Sequence, residues 1–147
     1  MSNEDLEFKR CTMFRENIYV FDCFTVGIFA ELYKRFPVKT NVNGYEAVAK
    51  CKYKNDEKID ELDKMVILKS TFEWLRDNEF IKYDGEVEQG EGIAYNCILT
   101  NKGLSVLEKI PKSVNNKKST IGQKIISEIV TGSTEAGIGL IKQALLG

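Results

Sequence analysis

Few side chains in this chain could do chemistry. The sequence has no histidine. That removes the commonest general base, the commonest metal ligand and the near-neutral pH switch together. The four cysteines are Cys11, Cys23, Cys51 and Cys97. They form no CxxC pair, and no histidine is present to complete a zinc set. Cys97 has no base beside it and falls on the apolar phase of a strand pattern, which predicts core packing and not a nucleophile. Asp56, Asp60 and Glu61 lack the glycine-centred spacing of a calcium loop. They read as an acidic helix start, favoured by the helix macrodipole. Gly90-Glu91-Gly92 supplies two glycines to a turn and no phosphate cradle. The residues therefore predict no catalytic centre, no cofactor and no metal.

Composition narrows the class further. Apolar residues make up 43% of the 147 residues and charged residues 29%, as in a folded soluble domain. The formal net charge is −1, so binding to nucleic acid or to an anionic membrane would need a local basic patch. The first ten residues carry Glu4, Asp5, Glu7, Lys9 and Arg10 and no apolar signal core. Residues 18–30 are apolar but interrupted by Asp22, and too short to span a bilayer. A cytoplasmic protein with reduced thiols is expected.

The elements that would position any site follow from periodicity. Phe21, Phe24, Ile28, Leu32 and Phe36 recur at three- and four-residue spacings, predicting a helix over 20–36 with one apolar stripe. Pro37 ends it. Gly27 inside it points to a close helix contact. A short strand over 38–42, the turn Asn43-Gly44 and a short helix over 45–49 follow, with 50–55 expected to loop. Residues 56–79 read as one long helix or two with a bend. Met65, Leu68, Phe72 and Leu75 form its buried stripe, flanked by Ile67, Thr71 and Trp74. Its other face carries Lys69, Ser70, Glu73, Arg76 and Asp77. The period then becomes alternating. A strand over 80–83, a glycine-bearing turn over 84–92 and a return strand with Ile93, Tyr95, Cys97 and Leu99 in one phase make a β-hairpin. Thr100 is placed to cap a helix running to about Ile110, with Leu104 and Leu107 inward. Residues 111–118 read as a linker. Two short helices occupy 119–147, with Ile121, Ile125 and Ile129 on one face of the first and Ile138, Ile141 and Leu145 on the second.

This order is α+β, and it resembles a winged helix-turn-helix domain over 20–110, with a charged N-terminal arm over 1–19 and a helical tail over 119–147. Trp74-Leu75-Arg76-Asp77-Asn78-Glu79-Phe80-Ile81 is similar to the close of a third helix entering the first wing strand. Leu99-Thr100-Asn101-Lys102-Gly103-Leu104 is similar to the second wing strand entering a capped helix. The chain also resembles a group of uncharacterised bacterial winged-helix proteins. Those share the phrases seen here as Glu31-Leu32-Tyr33 and Phe36-Pro37, and a glycine-punctuated helical tail.

The resemblance implies DNA binding, with the helix before the wing in the major groove. The residues point elsewhere. On the third helix Lys69 and Arg76 are balanced by Glu73 and Asp77, and the wing carries Asp84, Glu86, Glu88 and Glu91 with no base between them. Such a surface repels phosphates. The expected function is a non-enzymatic protein-interaction module, a subunit or homodimer in a bacterial complex, using those eight residues. One alternative is a transcriptional regulator binding nucleic acid through Lys34, Arg35, Lys39, Lys50, Lys52 and Lys54. Another is an immunity or inhibitor protein masking a basic toxin or nuclease. Gly132, Gly137, Gly139, Ala136 and Ala144 permit close helix contact in the tail, which either folds back over the domain or forms a homodimer.

Overall fold

A computed structural model gives the structure of the chain. It describes residues 3–49, 61–110, 119–131 and 134–146, with side chains described over 17–48, 61–110, 119–128 and 136–145. The elements run α1 (Asn3–Arg35), β1 (Thr40–Asn43), α2 (Gly44–Ala49), α3 (Glu61–Asp77), β2 (Ile81–Asp84), β3 (Ile93–Leu99), α4 (Asn101–Glu108), α5 (Ile121–Thr131) and α6 (Thr134–Leu146). The fold is α+β, with a three-stranded antiparallel sheet in the order β1-β3-β2.

The first helix is longer than its apolar stripe predicts. It begins at Asn3, so the segment expected as an arm over 1–19 is helical from residue 3 onward. It is also buried on more than one side. Besides Phe24, Ile28 and Leu32, the residues Val26, Phe29 and Ala30 lie in the core. A helix apolar nearly all round needs cover on two faces. Here α2, α3 and the sheet cover one face of α1, and α5 and α6 cover another. Gly27 permits the first of these contacts. A Cβ there would lie 3.0 Å from the backbone of Ala47 in α2. Thr25, fully buried, returns its hydroxyl to the Phe21 carbonyl at 2.8 Å.

The tail packs in cis. Ile121, Ile125, Ile138, Ile141 and Ala144 join the same core as α1 and the sheet. Gly122 lies against the Tyr33 ring, where a Cβ would approach to 2.6 Å. The Tyr33 hydroxyl donates to Glu108 Oε1 at 2.7 Å and meets Thr120 Oγ1 at 3.0 Å. Lys142 pairs with Asp22 of α1 at 2.9 Å, and Lys109 Nζ donates to the Ala144 carbonyl at 3.1 Å. Of the apolar tail positions read from the sequence, Ile121, Ile125, Ile138 and Ile141 are thus covered within the chain, and Ile129 lies outside the residues whose side chains are described.

The central strand departs from simple alternation. Between Thr40 and Val42, β1 advances two residues while β3 passes from Cys97 to Ala94, three residues. The same extra residue appears against β2, between the Lys82–Ile98 and Asp84–Tyr95 pairs. Both ladders therefore meet one bulge on β3. Asn96 sits there with φ 52°, a conformation asparagine tolerates better than most residues. Its amide N–H donates to Asn41 Oδ1 at 3.1 Å and its Nδ2 to Asp84 Oδ2 at 2.8 Å. The bulge inverts the phase expected for the strand. Cys97 and Leu99 are buried as predicted, but Ala94 replaces Tyr95 in the core and Tyr95 faces outward.

The joint between α3 and the hairpin is closed by backbone geometry. α3 ends in a Schellman motif: Phe80 N–H donates to Leu75 O and Glu79 N–H to Arg76 O, each at 2.9 Å, with Glu79 left-handed at φ 65°. Thr100 caps α4 as expected, accepting from Gly103 N–H at 3.1 Å while donating its hydroxyl to the Glu79 carbonyl. α4 ends at Glu108, two residues before the expected end. Among the described residues, no helix is long and apolar enough to cross a membrane.

Candidate functional site

The solvent face of α3 is the surface on which the interaction residues were expected. Lys69 and Glu73 are half-buried there, and Asp77 is exposed. Between them lie side chains the periodicity reading did not assign to a surface. Leu62 is 69% exposed, Val66 49% and Trp74 41%. Leu62, Val66, Ser70 and Trp74 recur every four residues, so they form one ridge along the helix. Trp74, expected beside the buried stripe, instead borders solvent. The available signal was Leu62 and Val66 themselves, two apolar residues in phase with Ser70 on a helix's polar face.

α1 completes the surface. Ile18, 45% exposed, and Phe21 stand across from Val66, Ile67, Thr71 and Trp74, and the two helices bound a groove of 270 Å³. Trp74 is held firmly at its end. The Phe21 ring meets it edge-on at a centroid distance of 5.3 Å, and Phe80 stacks against it at 5.9 Å. Lys102 Nζ sits 4.6 Å above the far ring of that ladder, Phe80, and donates to the Asn78 carbonyl at 2.9 Å. An aromatic side chain fixed on two sides and open on a third loses little rotamer freedom on contact with a partner.

Arg76 turns from this ridge toward the hairpin loop. Its guanidinium lies 4.3 Å from the Tyr83 ring centroid and donates to the Gly85 carbonyl at 2.7 Å. It is a brace between α3 and the hairpin loop. Beneath it, burial pushes the Tyr83 phenol up to about 12, a shift that the nearby Arg76 charge reduces. Burial likewise pushes the Cys97 thiol up to about 12, the opposite of an activated nucleophile, and the sequence expectation of a core cysteine agrees with its full burial.

The hairpin loop is acidic but not free-standing. Val87 is buried in the core, and the Tyr45 hydroxyl of α2 donates to Gln89 O at 3.1 Å. Gly92, at φ 66°, accepts from Gly44 N–H at 2.9 Å, and a Cβ there would strike the Tyr45 ring at 2.5 Å. Asp84 receives the Asn96 amide, and the Tyr95 hydroxyl donates to Glu91 Oε1. Those two carboxylates help shape the hairpin. Glu86 and Glu88 project from the loop, both exposed.

The basic residues gather elsewhere. Lys34 and Arg35 end α1, and Lys39 precedes β1, all exposed; Lys34 pairs with Glu31 at 3.0 Å. Along the α1 axis, Arg35 lies roughly 25 Å from Ile18 at the groove. Lys50, Lys52 and Lys54, the other members of the expected nucleic-acid set, fall outside the described residues. A second cleft, lined by Arg76, Lys82, Thr100, Asn101 and Lys102, contains cations, but Arg76 and Lys102 are already engaged within the chain. Comparison with family models, curated proteins and solved structures finds no match for this chain.

Proposed function

We propose that the chain is a non-enzymatic winged-helix protein-interaction module, which docks a protein on the α3 face and its adjoining hairpin. The helix–strand–helix–helix–hairpin order and the β1-β3-β2 sheet support the winged-helix assignment, with α3 in the position of a recognition helix and residues 85–92 as the wing loop. The observation that carries the functional reading is the solvent face of α3. It offers Leu62, Val66 and Trp74, where a DNA reader needs lysine, arginine, asparagine or glutamine. A duplex seated there would bring phosphates to Glu73, Asp77, Glu86 and Glu88, and each such approach costs binding energy instead of releasing counterions. Lys34 and Arg35 lie at the opposite end of α1 from the groove, too far to offset this.

The test is fluorescence anisotropy of a labelled random-sequence duplex at low and moderate salt, with light scattering on the same sample. The expected result is no binding at low salt. Salt-sensitive binding that disappears when Lys50, Lys52 and Lys54 are neutralised would overturn the proposal in favour of a nucleic-acid regulator.

A further inference from the structure

We infer that the α1–α3 groove takes a basic amphipathic helix of another protein, one whose apolar stripe covers Val66 and Trp74 and whose flanking lysines or arginines face the acids beside them. This inference rests on the protein-docking reading and names the chemistry of the partner. Three features of the surface support it.

The first is the shape of the apolar ridge. From Leu62 to Trp74 the helix rises about 18 Å, which about three turns of a partner helix would span. Ile18 on α1 forms the opposite wall, so the ridge and wall together offer a trough for one stripe of side chains.

The second is charge. Arg76 is committed to the Gly85 carbonyl and the Tyr83 ring, and Lys64 is buried and paired with Glu61 at 3.6 Å. On the outward side of α3 and the loop, Lys69 then stands beside Glu73, Asp77, Glu86 and Glu88, while Arg76, still cationic, is turned with Lys82 toward a separate cleft. Among the described residues, the side of the ridge toward the loop is acidic, and an acidic rim selects a basic partner.

The third is the cost of the obvious alternative, a second copy. A two-fold dimer through this face would place the same patch against itself, acids against acids. A head-to-tail contact with the Lys34–Lys39 end of another copy would build a ring or an open filament, which the light-scattering mass distinguishes from a one-to-one complex.

Trp74 is the single tryptophan of the chain, so its emission reports the site directly. The probe is a synthetic leucine–lysine helix of about 14 residues, two heptads long. The controls are a scrambled peptide of the same composition and a leucine–glutamate helix with the same apolar positions. Binding is followed by Trp74 emission and by anisotropy of a labelled peptide. The leucine–lysine helix is expected to blue-shift Trp74 emission in a saturable way, and the two controls are not. Raising salt to about 0.5 M should weaken binding several-fold, because the charges are at the rim. Val66→Glu should abolish the anisotropy change, and the double variant Glu86→Lys, Glu88→Lys should weaken it about tenfold. All three positions are exposed, and an unchanged urea midpoint confirms that each variant folds.

Equal binding of the scrambled peptide or of the leucine–glutamate helix would overturn the inference. So would indifference to Val66→Glu. A mass that doubles with concentration and returns to monomer in Val66→Glu would make a second copy the occupant. Failure of the leucine–lysine helix to bind would remove the basic partner while leaving the docking reading standing, since that reading falls only if the duplex binds.

Discussion

Gly103 and Gly139 test the fold with one substitution made twice. Both are helical glycines, and by intrinsic propensity Gly→Ala in either helix should stabilise by up to about 1 kcal/mol. Their surroundings differ. At Gly139 of α6 an added Cβ meets nothing within 4 Å, so the propensity gain should appear undiminished. At Gly103 of α4 the Cβ would lie 2.1 Å from the Phe80 carbonyl oxygen and 3.1 Å from its carbon. That is far inside the ordinary contact distance of about 3.5 Å, and the atoms in the way are backbone. Relief requires α4 to move off the strand. Overpacking of this kind costs about 1–3 kcal/mol. The same carbonyl accepts from Thr100 N–H at 3.0 Å, and loosening that bond adds about 1 kcal/mol. Set against the propensity gain, Gly103→Ala should destabilise by about 2 kcal/mol, lowering Tm by roughly 4–8 °C for a domain of this size. Gly139→Ala should raise Tm by about 1–4 °C. Urea and thermal unfolding followed by far-UV circular dichroism measure both. A Gly103→Ala protein as stable as the parent would refute the close approach of α4 to the start of β2.

Glu79→Gly should stabilise by about 1 kcal/mol, because a left-handed non-glycine residue carries a steric cost that glycine lacks; an unchanged urea midpoint would contradict the Schellman close of α3. Thr100→Ala should cost about 1–2 kcal/mol through loss of the cap on α4, and Thr100→Ser should recover most of it. Tyr83→Phe should be neutral or stabilising at pH 7, since the buried Tyr83 hydroxyl has no hydrogen-bond partner among the described residues. The same variant fixes a sign in alkali. The Tyr83 phenol is raised from 10.0 to about 12 in the folded chain, so the unfolded chain releases that proton first and stability falls as pH rises from 10 toward 12. Urea midpoints across that window should decline less steeply in Tyr83→Phe; an identical slope in both proteins would exclude Tyr83 as a source of the decline. Cys97, raised from 9.0 to about 12, adds a loss of the same sign that begins near pH 9.

Much of the architecture was legible because it depends on short-range rules. The hairpin was readable from the change of period after Phe80, and the strand Ile93–Leu99 emerges with those bounds. Thr100 was readable as a cap because a hydroxyl three residues before Gly103 N–H meets the exposed donors of a helix start wherever that helix lies. Gly27 pointed to a close contact, and Ala47 supplies it. Burial on the outward face was harder to read. The hydrophobic pattern placed Trp74 beside the core, yet a flank position becomes core or rim according to what packs against it. Here Phe21 and Phe80 pack against the indole, and Trp74 still remains 41% exposed. The role of Arg76 was likewise invisible. Its charge counts toward the α3 face in the sequence but is drawn toward the Gly85 carbonyl, because the hairpin returns beneath it.

The sequence by itself determined the order of elements, the caps and turns that bound them, and the acidity of the hairpin loop. Each follows from residues within a few positions of one another. Only the tertiary structure decided which helix faces are dry. The pattern of α1 predicts one stripe, but Val26 and Phe29 are buried as well: Val26 lies against Gly137 of α6, and the Phe29 ring meets Phe80 where α3 passes into the hairpin. Tyr95 is turned outward by a bulge that both neighbouring strands must accommodate at once. Leu62, Val66 and Trp74 make a surface only because α1 runs beside α3 and leaves their ridge uncovered. Burial is a property of pairs of elements distant in sequence, and periodicity describes one element at a time.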